Sequence, residues 1–105
     1  MGPHLSLVIP VYNGGASRIA DTVRALRTFL DQQAYTSEVI LVDDGSAMPI
    51  VADGVTVLRH DVNRGKGASV ARGMLAAKGD YRVFTDADLA YPPSQVHRIL
   101  DALSS

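Results

Sequence analysis

The sequence predicts an α/β domain: about four parallel strands with helices on both faces. Three observations predict it. Short apolar runs alternate with stretches of helical periodicity in the order β-α-β-β-α-β-α. The first run, Leu5 to Val11 (LSLVIPV), is nearly continuous, as a strand covered on both sides requires. Polar clusters rich in Asp, Asn and Gly follow the strands, and ligands of parallel sheets collect at strand carboxyl ends.

The elements follow in order. Asn13-Gly14-Gly15 breaks the first strand. Ile19, Val23, Leu26 and Leu30 then recur at helical spacing, with Arg18, Asp21, Arg24 and Asp31 between them. Val39 to Val42 is a second buried strand, and Val55 to Leu58 a shorter third. The stretch Ala47 to Gly54 contains Pro49 and turn residues and predicts an irregular crossover. Asn63 to Gly67 is a glycine-rich turn, followed by a helix over about Ala68 to Lys78 with Gly79 as its C′ residue. Arg82 to Thr85 is the fourth strand. Pro92-Pro93 opens a last helix with Val96, Ile99, Leu100 and Leu103 on one face.

Composition narrows the function. The 105 residues are 47% hydrophobic, which fits a single domain, residues 1–105, with one modest core. Ten basic and eleven acidic residues are interspersed, so no nucleic-acid footprint is expected. Without cysteine there is no disulfide, thiolate metal site or Cys nucleophile. No apolar run approaches the ~20 residues of a membrane span. A cytoplasmic location is expected.

Four clusters carry the candidate chemistry, and all fall on one edge of the predicted sheet: Tyr12 to Gly15, Asp43 to Ser46, Asn63 to Gly67, and Asp86-Ala87-Asp88. Asp86 and Asp88 sit two residues apart, so on an extended segment both carboxylates point one way. Such oxygen ligands suit Mg²⁺ or Mn²⁺ bridging to a diphosphate, and equally describe a solvated strand end. Asp43-Asp44-Gly45-Ser46 fits tight-turn chemistry, and also a carboxylate accepting from a nucleobase edge or ribose. The glycine-rich turn is neither a P-loop nor a G-x-G-x-x-G, since Gly67 follows Lys66 and Val70 takes the last glycine position. It offers a lysine and a helix N-terminus, either for an anion or as a plain helix entry. Tyr12 could stack on a base or cap the core, and Arg64 could reach a phosphate or face solvent. His4, His60 and His97 lack ligand spacing and are expected at the surface or rim. A phospho-receiver domain is excluded by order: its acidic pair follows the first strand and its acceptor Asp the third. Here the pair follows the second strand and the D-x-D the fourth.

Leu7 to Asn13, Val42 to Ser46, Asn63 to Gly67 with Ala71-Arg72-Gly73, and Thr85 to Leu89 together resemble the family 2 GT-A glycosyltransferases. Asp86 to Leu89 with Pro92-Pro93 looks most like the polyprenyl- (dolichyl-) phosphate hexosyltransferases, although Ala90 departs from the Gln of many mannose enzymes. The resemblance implies a Rossmann-like GT-A half-domain, truncated to the donor-binding part of a longer and membrane-associated enzyme. It implies inverting transfer of a hexose from a UDP- or GDP-sugar, with Mg²⁺ or Mn²⁺, to a polyprenyl phosphate or a saccharide. By resemblance Pro10, Tyr12, Asn13, Asp43, Asp44, Lys66 and Asp86 contact the nucleotide, and Asp86 and Asp88 the metal. The isolated half is expected to be inactive, and its open sheet edge to favour a homo-oligomer. The alternative is a non-catalytic nucleotide or nucleotide-sugar binding module.

Overall fold

A computed structural model describes residues 2–13, 16–52 and 54–85. The elements are β1 (Leu5–Val11), α1 (Ala16–Asp31), β2 (Ser37–Asp44), β3 (Thr56–His60), α2 (Lys66–Ala76) and β4 (Tyr81–Phe84). All pairings are parallel, in the order β3-β2-β1-β4. The helix expected from Pro92 lies outside the described residues, as do Asp86 and Asp88.

The two faces of β1 explain its continuous apolar run. Leu5, Leu7, Ile9 and Val11 pack with Val39, Leu41 and the α1 residues Ile19, Val23, Leu26 and Leu30. Val8 points the other way, into a smaller cluster with Ile40, Val42, Ala77 and Met74 at α2. Register makes this consistent. Leu7 pairs with Val39 and Val8 with Ile40, so paired residues share a face. Full burial of a large aliphatic side chain contributes about 1.5–3 kcal/mol, so this central strand dominates the core. Ser6, also fully buried on the α2 face, donates to Glu38 Oε2 (2.5 Å) and accepts from Gly79 N–H (2.8 Å).

Close approach requires glycine both within α2 and just after it. A Cβ at Gly73 would lie 2.3 Å from Val8 Cγ1, so its absence lets α2 settle on the sheet. Gly79 does not end α2 in a left-handed cap. The helix stops at Ala76, Ala77 is extended, and a Cβ at Gly79 would meet Ser6 Oγ at 2.6 Å. Its glycine is needed where the chain re-enters the sheet against β1, not at the helix terminus. Helix α2 also starts earlier than its periodicity suggests, at Lys66, because Gly67 is accommodated in the first turn. At the other end of the molecule, Arg27 of α1 pairs with Asp31 (2.7 Å) and donates to Ser37 Oγ (2.7 Å), tying the helix end to the start of β2. Among the described residues no helix is long and apolar enough to cross a membrane.

Candidate nucleotide-binding edge

Helices on opposite faces leave the carboxyl ends of β1, β2 and β3 to converge, and the loops there form one connected surface. A cleft of about 260 Å³ opens among them, lined by Pro10, Val11, Tyr12, Asp44, Asn63, Lys66 and Ser69. Of the residues singled out from sequence, the structure therefore brings Pro10, Tyr12, Asp44 and Lys66 together. Tyr12 is 54% exposed, so a ring face is open for stacking. Lys66 begins α2 and lines the cleft with Ser69 of the same helix, so the N-terminal end of α2 borders it.

The two adjacent aspartates divide between the faces of the sheet, as successive strand residues must. Asp43 is fully buried on the α1 side and does not line the cleft. Its Oδ1 accepts from Ser46 N–H (3.0 Å). Its Oδ2 accepts from Ile50 N–H (3.0 Å) and from the guanidinium of Arg59, its partner in register on β3. Arg59 also donates to Ser46 O (2.9 Å), which closes the turn after β2. Burial pushes the Asp43 pKa up, but hydrogen bonds from the Ser46 side chain, Ile50 N–H, Ser46 N–H and Arg59 outweigh it, so the group stays below its ordinary value.

Asp44 points to the α2 side and is itself nearly closed off from solvent. Oδ1 accepts from His60 Nδ1 (2.7 Å) and Arg64 N–H (2.9 Å). Oδ2 accepts from Asn63 Nδ2 (3.0 Å) and Gly65 N–H (2.8 Å). Burial again raises the pKa, and the bonds from His60, Arg64 and Gly65 with the nearby imidazole lower it further than burial raises it. The turn itself needs a glycine at position 45. Its φ is +78°, and a Cβ would come within 2.6 Å of Asn63 N.

Asn13 sits beside the cleft rather than in it. It adopts φ +53°, which Asn tolerates, donates from its N–H to Ser46 Oγ (2.8 Å) and accepts from Ala47 N–H at Oδ1 (2.9 Å). The loops after β1 and β2 are thus stitched to each other. His60, expected at the surface or rim, is buried instead: it is 8% exposed and pairs with Asp44 across the β2–β3 register. One signal could have found it. Arg59 and His60 extend β3 two residues beyond its apolar stretch, directly opposite the two aspartates. A second groove of about 290 Å³ lies between α1 and Val51-Ala52; its cations Arg24 and Arg27 pair with Asp21 and Asp31.

Residues 6–105 match the sequence profile of glycosyl transferase family 2, and the chain belongs to that family. It is 37% identical to an undecaprenyl-phosphate 4-deoxy-4-formamido-L-arabinose transferase of Aeromonas hydrophila, over 93% of this chain and 33% of that protein. It is 30% identical to the dolichyl-phosphate beta-glucosyltransferase of Saccharomyces cerevisiae, over 95% of this chain and 34% of that protein. The fold is similar to that of a mannosyltransferase from Pyrobaculum calidifontis solved with GDP-Man and Mn²⁺. The TM-score is 0.75 at 22% identity, covering 100% of this chain and 33% of that one. This is the GT-A fold. The chain spans about a third of the length of these relatives.

Proposed function

We propose that this chain is the donor-binding part of a glycosyltransferase, and that the cleft at the carboxyl edge holds the nucleotide of a UDP- or GDP-sugar. The observation that carries the reading is the convergence of Pro10, Tyr12, Asp44, Asn63 and Lys66 from three strand ends on one cleft. Tyr12 offers a stacking face for the base. Lys66 and the start of α2 offer positive potential to a diphosphate. The acceptor is proposed to be a polyprenyl phosphate, supported by the names of the relatives. Its oxygen would attack the anomeric carbon as the bond to the nucleoside diphosphate breaks, with inversion.

The hard oxygen donors that suit Mg²⁺ or Mn²⁺ are Asp86 and Asp88. Thr85, the described residue that precedes them in sequence, is buried beside β1 and donates its N–H to Val8 O (3.0 Å). Among the described residues no group of three or more His, Asp or Glu side chains could hold a metal instead. A divalent cation bound there would offset the charge that develops on the departing diphosphate.

Titration calorimetry of the 105-residue chain with UDP, GDP and their sugars, with and without Mn²⁺, tests the reading. We expect a Kd of roughly 1 mM or tighter, equivalent to ~4 kcal/mol. A folded sample that binds no nucleotide would sink it. A Mn²⁺-enhanced signal unchanged in Asp88→Ala would remove the metal role from that residue.

A further inference from the structure

We propose that His60 is a positioning residue for donor binding: it holds the Asp44 carboxylate, which in turn pins the Asn63–Gly65 loop and so sets Lys66 and the start of α2 at the cleft. The proposal rests on the cleft being a nucleotide site. Three observations carry it. The imidazole lies in the sheet opposite Asp44, nine-tenths buried, with Nδ1 2.7 Å from Oδ1. An ionised carboxylate only accepts, so the ring presents Nδ1–H to it. The remaining three donors to Asp44 are consecutive along the chain: Asn63 Nδ2, Arg64 N–H and Gly65 N–H, at 3.0, 2.9 and 2.8 Å. Lys66 is the next residue. The loop is confined from below as well, because it passes over Gly45 at a distance no side chain would permit.

A carboxylate has about four lone-pair sites, and four protein donors use them. The carboxylate that lines the cleft is therefore held from two sides, by the sheet through His60 and by the loop through Asn63, Arg64 and Gly65. His60 supplies the one donor of the four that comes from the sheet. Without it the carboxylate is free to swing with the loop, and Lys66 loses its fixed place.

The test separates the donated hydrogen bond from the volume of the ring. Asn at position 60 can place a side-chain N–H near the site of Nδ1; Leu fills space and donates nothing. For the Asp44 clamp we expect His60→Asn to bind UDP or GDP within about twofold of wild type, and His60→Leu at least about tenfold more weakly. Amide hydrogen exchange at Arg64 and Gly65 should be slow in wild type and His60→Asn and fast in His60→Leu. Wild-type binding in His60→Leu, or equal losses in both variants, would overturn the proposal. If His60→Leu does not fold, imidazole ¹⁵N shifts of the wild-type protein decide: a ring protonated only at Nε2 overturns it, and a protonated Nδ1 supports it. Failure of the wild-type chain to bind any nucleotide overturns the cleft reading and the donor-binding half of this proposal. Exchange at Arg64 and Gly65 still judges the clamp in that case.

Discussion

Replacing Asp44 by Asn keeps shape and removes both the charge and one acceptor. If the carbonyl oxygen stays on His60 and Arg64, the new NH₂ group faces two donors, Asn63 Nδ2 and Gly65 N–H. The exposed Asn63 side chain can turn to water; the Gly65 amide is part-buried and fixed to the backbone. One orphaned donor costs about 1–3 kcal/mol, and the two retained bonds each lose roughly 1 kcal/mol of charge assistance. The expected loss at pH 7 is therefore ~3–5 kcal/mol. That is a large part of the ~5–15 kcal/mol typical of a domain of 105 residues. Urea unfolding followed by far-UV circular dichroism measures it. The pH dependence supplies an independent check. The Asp43 and Asp44 pKa values are both lowered by folding. Their stabilisation is thus complete above the unfolded carboxylate value of about 3.9 and is lost as pH falls through the folded values. Asp44→Asn should lose less stability than wild type as pH falls below about 4, because one of the two contributions is already gone. A variant within ~0.5 kcal/mol of wild type at pH 7, with an unchanged acid slope, would refute the clamp.

Two further outcomes are expected. Gly73→Ala forces a methyl against Val8 Cγ1 and should cost about 1–3 kcal/mol in urea unfolding; wild-type stability would mean that α2 is not held against the sheet as described. Lys66→Ala should weaken nucleotide binding about three- to tenfold at low salt and less at high salt, since an exposed cation is screened; a salt-independent loss seen by calorimetry would point to a packing role.

Much of this architecture was legible because it rests on apolar periodicity. The unbroken run in β1, the helical spacing of Ile19, Val23, Leu26 and Leu30, and the alternation of elements as far as β4 reappear in the structure. Polar and glycine positions were less legible, for physical reasons. Arg59 and His60 look like loop residues until their cross-strand partners Asp43 and Asp44 are known, so β3 runs two residues past its apolar stretch. Glycines serve turns, caps and close contacts alike; only the packed structure tells Gly79, pressed against Ser6, from a helix cap. Four of the nucleotide residues expected from the resemblance share the cleft, while Asn13 and Asp43 brace the loops around it. Self-association is expected at the edge beside β4, which is an outer strand of the described sheet.

The adjacent aspartates explain how one short motif can build a site from two sides. Side chains alternate across a strand, so two neighbouring carboxylates cannot serve one pocket equally. Asp43 reaches the α1 face and closes the turn after β2 through Ser46, Ile50 and Arg59. Asp44 reaches the α2 face and closes the loop after β3 through His60, Asn63, Arg64 and Gly65. The loop after β1 is then fastened to the first of these turns by Asn13. Each carboxylate is buried at a cost that its hydrogen bonds more than offset, which is why both remain ionised acceptors. Three loops that would otherwise move independently become one rigid rim, and a rim ordered before a ligand arrives spares it the entropic cost of ordering it.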